Sequence, residues 1–318
     1  MENNSNNLNQ ANTPVVNYNA ADDEIDLREL FTAIWQGKWV IIAITTLFAV
    51  TSVFYAINQP NIYKSEALLA PAEQDNGRGL TSQLGGLASL AGVNLGSGGG
   101  VDKTLMALEV LKSRQFISEF IQKHNILPEL MAAKAWNREK NTIVYDDELY
   151  DAEQNKWVRA VKKPRKKEPS MQEAYKEFSK ILTAEIDKES GFITVSVENL
   201  SPYIAQKWVG WLVEDINRTM KSRDVVEANK STEFLTKQLE KTKITDIRAI
   251  LYRLIEEQAK IIMFANVRDE YVFKTIDPAI IAEQKSKPRR AIICILGTFL
   301  GGALGIIYVL FGHYLRKN

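Results

Sequence analysis

Cysteine and histidine are almost missing from this chain. One cysteine, Cys294, and two histidines, His124 and His313, serve 318 residues. A single thiol permits no disulfide framework within one chain and leaves the redox compartment unread. Two histidines far apart in sequence suggest neither a metal cluster nor a Ser/His/Asp arrangement. Charge of one sign is lacking too: 40 Lys and Arg stand against 39 Asp and Glu, a net +1, so composition implies no general attraction to polyanions. Carboxylates are plentiful, but no spacing pairs two of them as acid and base. No GxxxxGK[ST] occurs, which argues against a fused nucleotide-driven kinase. The residues therefore point to a non-enzymatic scaffold, with no cofactor and no nucleic-acid partner.

Long apolar runs, by contrast, are present twice. Trp39 to Ile57 holds 19 residues without a charge, about 28 Å as a helix. Ala291 to Gly312 holds 22, about 33 Å on the same rise. Each can span a bilayer core. Trp35 and Trp39, and Tyr308, Phe311 and Tyr314, stand near the run ends where amphipathic rings favour headgroups. The first run follows a 38-residue polar tail and lacks a clear small-x-small cleavage site, so an anchor is expected rather than a secretory signal. Two spans put both termini on one side and residues 58–290 on the other.

The side follows from Lys and Arg near the runs. The tails carry Arg28, Lys38, Arg316 and Lys317; the intervening flanks carry Lys64, Lys285, Lys287, Arg289 and Arg290. The positive-inside bias holds for short loops and the first helix usually dominates. Around the first run the tail side leads, Arg28 and Lys38 against Lys64, so both tails are expected in the cytoplasm. The Lys285, Lys287, Arg289 and Arg290 cluster then lies outside, where it anchors the helix end at the headgroups or meets lipid phosphate or acidic glycan.

Residues 1–20 are Asn-rich with little to bury. The next stretch sets Leu27, Leu30, Phe31, Ile34 and Trp35 on one helical face, with Asp26 as N-cap and Glu29 three residues on, an interfacial helix. IYKSEALLAP reads as a strand closed by Pro71. Residues 77–100 interleave glycine with leucine, a flexible loop or a sticky contact. Leu105, Leu108, Leu111, Ile117, Phe120 and Ile121 form the core stripe of helices up to Pro128. The acidic-then-basic run YDDELYDAEQNKWVRAVKKPRKKEP reads as a solvated loop. TAEIDKESGFITVSVEN reads as a hairpin with Gly191 at its turn and Ile193, Val195 and Val197 on one face.

Ser201 then caps a helix with Pro202 at its first position. Residues 211–276 contain neither Gly nor Pro; if mostly helical they reach roughly 100 Å. Ile247, Leu251, Leu254, Gln258 and Ile261 make a coiled-coil-like seam that needs a partner. Mutual packing of copies supplies one; a hairpin within the chain, with a break near 240–246, supplies another. YVFKTIDPA reads as a strand returning to the base and ended by Pro278. Gly297, Gly301 and Gly305 recur every fourth residue in the second run, with Gly302 beside them, a face for close contact with the first span or a neighbour.

These stretches resemble the Wzz-type polysaccharide co-polymerases, the chain-length determinants of bacterial inner membranes. DEIDLRELFTAIWQGKWVI, YKSEALLAP, SGFITVSVENLSPYIAQKWVGWLV, LYRLIEEQAKIIMFANVRDEYVFKTIDPA and the glycine-bearing second run carry the likeness. Pro278 and Pro288 match the family's proline-rich approach to the membrane, while Ile281 and Lys285 depart from it. The resemblance implies an α+β membrane protein: two transmembrane helices flanking a periplasmic α/β base with a long extended helical arm. Its segments would be a cytoplasmic tail with interfacial helix at 1–38, spans at 39–57 and 291–312, a base at 58–202, an arm at 203–270, a return strand and Pro-containing segment at 271–290, and a tail at 313–318. It further implies a ring-like homo-oligomer that sets O-antigen chain length, with the O-antigen polymerase, lipid-linked polysaccharide and membrane lipids as partners. A co-polymerase for capsule, common antigen or exopolysaccharide export is the alternative, and a periplasmic envelope-processing enzyme the alternative of another class.

Overall fold

The computed structural model describes residues 27–72 and 103–317. The Asn-rich residues 1–20, Asp26 and the glycine-rich stretch 77–100 lie outside them. The chain divides into two compact units, residues 1–58 with 289–318, and residues 59–288.

The first unit contains α1 (Leu27–Gln36), α2 (Lys38–Asn58) and, at the other end of the chain, α9 (Arg290–Lys317). Two helices, Lys38–Asn58 and Arg290–Leu315, are long and apolar enough to cross a membrane. Leu47, Val50, Phe54, Ile295 and Phe299 are exposed on them, as an apolar solvent would allow. The hydroxyls of Thr45, Ser52 and Thr298 donate to carbonyls three or four residues back, at 2.8 Å. That satisfies polar groups which hydrocarbon could not.

The second unit opens on β1 (Tyr63–Pro71). Beyond the undescribed stretch it continues with α3 (Lys103–Lys112), α4 (Arg114–His124) and α5 (Leu127–Met131), then the short hairpins β2 (Ala133–Asn137) with β3 (Thr142–Tyr145) and β4 (Tyr150–Asp151) with β5 (Lys156–Trp157). There follow α6 (Met171–Ile181), β6 (Leu182–Ile186), β7 (Ile193–Asn199), α7 (Pro202–Lys241), α8 (Thr245–Val267) and β8 (Phe273–Asp277). The main sheet runs β6-β7-β1-β8, antiparallel at each junction, with Tyr63 opposite Asn199 and Leu69 opposite Ile193. Gly191, in the left-handed region at φ 73°, turns β6 into β7.

One face of the sheet is apolar: Ala67, Leu69, Ile193, Val195 and Val197 are buried with Phe120 and Ile121 of α4, Phe178 of α6, and Trp208, Leu212 and Ile216 of α7. Serines start the helices. Ser113 accepts from Phe116 N at 3.2 Å, Ser170 forms a reciprocal capping box with Glu173, and Ser201 accepts from Ile204 N at 3.4 Å beside Pro202. Each satisfies a donor that has no partner within the helix.

Four expectations change. Leu105 is 44% exposed, because the buried arc of α3 passes through Thr104, Ala107, Leu108 and Leu111 and leaves Leu105 off it. The stretch read as a solvated loop contains β4 and β5, and Trp157 packs against the core. The base does not end at 202: Ala205, Trp208, Val209, Leu212, Ile216 and Met220 of α7 are buried in it, so the start of the arm is core. The arm is no single rod but the hairpin that stood as the alternative, with its break inside 240–246. α7 ends at Lys241 without Gly or Pro, and α8 turns back along it. Arg248 sustains the break by donating to the carbonyls of Leu239 (3.2 Å) and Thr242 (3.3 Å), groups that the end of a helix leaves unpaired.

Candidate functional site

Within the first unit, the glycines of α9 face α2. A Cβ built on Gly297 would stand 2.5 Å from Ser52 Cβ, one on Gly301 2.6 Å from Phe48 Cβ, and one on Gly305 3.1 Å from Ile41 Cα. Partners fall along α2 as positions rise along α9, so the helices are antiparallel. One turn on, the small residue changes sides: Gly37 receives Val309 so closely that any Cβ would overlap it. Close approach of this kind brings backbone and side-chain atoms into dispersion contact, which replaces the hydrophobic drive absent in lipid. At the other end of the pair, Arg290 Nε donates to the carbonyl of Ala56 at 3.0 Å, placing a cation at the negative end of α2.

Within the second unit, the segment before α9 is tied to β1. Ile62 N donates to Lys287 O at 2.9 Å, and Ser286 N to Ile62 O at 2.8 Å. Ser65 Oγ donates to Ile280 O at 2.7 Å, and Gln206 Nε2 to Ala279 O at 3.3 Å. Lys287 Nζ meets Glu198 at 2.7 Å. Pro278, Lys285 and Arg289 are exposed, and Pro288 is half-buried. The basic cluster read from sequence is therefore divided by role: Lys287 is neutralised in one unit and Arg290 caps a helix in the other.

The root of the arm is organised by polar side chains of α7. Asn217 is 5% exposed. Its Oδ1 accepts from the N–H groups of Tyr271 (3.0 Å), Val272 (2.8 Å) and Phe273 (2.9 Å), and its Nδ2 donates to Phe273 O (3.0 Å). One amide thus fixes the chain where it leaves α8 and enters β8. Two residues before, buried Asp215 bonds Lys123 Nζ and, at 2.8 Å, His124 Nε2; the His124 ring stacks on Trp211 at 4.0 Å. Asp224 accepts from Lys103 Nζ at 2.8 Å and from the Tyr271 hydroxyl at 2.6 Å. Burial, then the Asp224 carboxylate, pushes the Tyr271 phenol above its ordinary range.

The seam expected on α8 divides as well. Leu254 and Gln258 line a cleft with Lys230, Ser231, Phe234 and Leu235 of α7. Leu251 and Ile261 are half-buried, and Ile247 is 43% exposed. His313 lies in α9, away in sequence from His124 in α4. Among the described residues, no three of His, Cys, Asp and Glu stand together as a metal set.

Sequence reading missed Asn217, Asp215, Gly37, Arg248 and Glu198. A signal existed for two of them. Asp215 and Asn217 interrupt a run in which Leu212, Ile216 and Met220 are spaced for a core face, and a buried polar group is kept only with partners.

Two candidate spans that pack on each other, with an α+β unit between them in sequence, define the class of this chain. Residues 23–124 match the family model described as Wzz, chain length determinant protein. Over those residues, about a third of its length, the chain is similar to the Wzz-type polysaccharide co-polymerases. Among solved structures, a full-length bacterial polysaccharide co-polymerase is similar at 15% identity and TM-score 0.38, covering 93% of this chain and 99% of that one. A fragment of WzzB, a polysaccharide co-polymerase from Salmonella Typhimurium, is similar at 12% identity and TM-score 0.31, covering 71% of this chain and 100% of that one. With both scores below 0.5, the family reading stands on the family match and on the residues that carry it.

Proposed function

We propose that this protein regulates the chain length of O-antigen on lipopolysaccharide without catalysing a reaction, by assembling with copies of itself in a bacterial inner membrane and limiting polymerisation by the O-antigen polymerase. The observation that carries this reading is the chain length determinant match over residues 23–124, which takes in the first candidate span and β1. The lead of Arg28 and Lys38 over Lys64 around that span supports cytoplasmic termini and a periplasmic second unit. Lipid-facing apolar side chains on α2 and α9 support anchoring by both.

The test is deletion of the gene followed by gel analysis of lipopolysaccharide. A modal ladder that becomes random in length, and returns on complementation, supports the reading. An unchanged ladder refutes it, and an unchanged ladder with altered capsule or exopolysaccharide would move the activity to that polymer.

A further inference from the structure

The second unit carries a basic run at 162–167. Lys162, Lys163, Arg165, Lys166 and Lys167 are exposed around Pro164. Arg165 comes within 4.0 Å of Glu173, but none of the four lysines makes an ion pair among the described residues. Nor does the acidic run before it supply partners. Asp146 Oδ1 accepts from Glu148 N, and Asp151 Oδ1 from Glu153 N and Gln154 N, each at 3.0 Å, so these carboxylates hold their own turns.

A solubilising run needs no fixed shape, yet this one is held. The guanidinium of Arg159, 13% exposed, donates to the carbonyls of Lys166, at 3.0 Å, and Lys167. It also meets both oxygens of Glu173, at 2.9 and 3.5 Å. Glu173 is fixed in turn by the capping box of α6. The loop is thereby fastened at one side to α6 and at the other to β5, whose Trp157 packs on the core. Four like charges are presented on a loop whose backbone is clamped from below, so an approaching polyanion meets them with little ordering left to do.

We propose that the Lys162–Lys167 loop is a binding site for carboxylate-bearing polysaccharide. The proposal rests on the chain-length reading, which puts a growing glycan beside this unit. Lipid is the weaker occupant: polybasic segments that read anionic lipid directly flank a span or lie on an amphipathic helix, and this run does neither. The run also lacks aromatic residues on which nucleic-acid bases would stack. Single contacts at an exposed lysine are weak and screened by salt, but an extended polymer can touch several at once and sum them.

The test uses the full chain in nanodiscs of neutral lipid, with labelled oligogalacturonate, dextran of equal size and phosphatidylglycerol vesicles as probes. Oligogalacturonate should bind, more weakly as salt rises, and dextran should not. The variant K162Q/K163Q/K166Q/K167Q should lose about tenfold or more in affinity, with an unchanged circular dichroism spectrum. Four Lys→Arg changes should retain binding. Arg159→Met, which keeps all four lysines but releases the clamp, should lose about threefold, because ordering is then left to the binding step. Equal binding by the quadruple Gln variant, equal binding of dextran, or loop-dependent capture of vesicles but not oligogalacturonate would each overturn the proposal. Because the readout is binding, its failure leaves the chain-length reading standing; loss of that reading would show in the deletion ladder.

Discussion

Replacing Asn217 by Ala should open the root of the arm while leaving the rest of the second unit folded. Four hydrogen bonds of the 271–273 segment converge on this side chain: three N–H groups on Oδ1 and the Phe273 carbonyl on Nδ2. Alanine removes every partner at once in a site where Tyr271, Val272 and Phe273 are themselves at most 4% exposed. A buried polar group left unpaired costs about 1–3 kcal/mol. Water admitted to the vacated space would restore part of that, so about 3 kcal/mol for the set is a sensible centre. Since 1.4 kcal/mol is about a factor of ten, the amides of residues 271–273 should exchange hydrogen on the order of 100-fold faster. Exchange in β6 and β7, whose ladder Asn217 does not touch, should stay within a few-fold. Asn217→Asp keeps the acceptor for the three N–H groups but loses the donations to Phe273 O and Val213 O, so it should recover part of the protection. Hydrogen exchange with mass spectrometry on the detergent-extracted protein compares both variants with the parent chain. Unchanged exchange at 271–273 in Asn217→Ala would refute the reasoning, as would uniform acceleration over the whole unit.

Other expectations follow from the same contacts. Gly301→Leu places side-chain atoms where Phe48 Cβ already stands, so pairing of α2 and α9 should weaken by about 1–3 kcal/mol. The thermal midpoint in detergent should fall, whereas Leu300→Ala, at a position 53% exposed, should leave it nearly unchanged. Arg248→Ala frees the carbonyls of Leu239 and Thr242 and should speed exchange at residues 239–246 before any other part of the arm. The Glu173 carboxyl is held well below its ordinary 4.5, at about 2, chiefly by its hydrogen bond from Arg159 and then by the Ser170 N–H. A depressed carboxyl stabilises the fold above its unfolded pKa and loses that contribution as pH falls toward the folded value. Release of residues 159–168, read by limited proteolysis, should therefore set in between about pH 4.5 and 2, and Glu173→Gln should abolish that pH dependence. Leu254→Asp should disrupt the α7–α8 hairpin, visible as lost helicity. Ile250→Asp, at 57% exposure, should keep the hairpin; a drop in the mass of the detergent-extracted complex would then mark a contact between copies.

Periodicity made the sheet partly legible, since Ile193, Val195 and Val197 alternate as one face of a strand must, and Gly191 had to sit where φ turns positive. α3 and α4 were legible by the spacing of Leu108, Leu111, Ile117, Phe120 and Ile121, whereas α6, with its Ser170/Glu173 capping box, went unread. The short hairpins β2–β3 and β4–β5 were not legible either: four to five residues or fewer give too few alternations, and their charged flanks read as solvent-exposed loop. The break in the arm could be read only as one alternative, near 240–246, because it uses neither Gly nor Pro. It depends on Arg248 reaching back to carbonyls six and nine residues earlier, a tertiary contact that leaves no periodic trace. The glycine repeat could be seen, but not its continuation through Gly37, which lies on the other helix. Asn217 stood in plain view as a polar residue on an apolar face, and its three donors come from 54 to 56 residues downstream, a distance at which sequence names no partner.

These contacts also alter the case for assembly. Two features had suggested that the chain needs sister copies: a glycine face on the second span and an apolar seam on the arm. Both have partners in the same chain, since Gly297, Gly301 and Gly305 face α2 and Leu254 shares a cleft with Phe234 and Leu235. A protomer therefore satisfies the glycine face and the Leu254 part of the seam, while Ile247 stays 43% exposed, and self-association can draw on what the hairpin leaves outside. That remainder is substantial: Ile244, Ile250, Tyr252, Met263 and Val267 are each more than half exposed. Lone exposed apolar residues are ordinary on any protein, but several along one antiparallel pair amount to a surface with a preference for apolar company. The glycine face sets how the anchors pair, the inner seam sets how the arm closes, and the outer side chains of the hairpin are an apolar surface that both leave open.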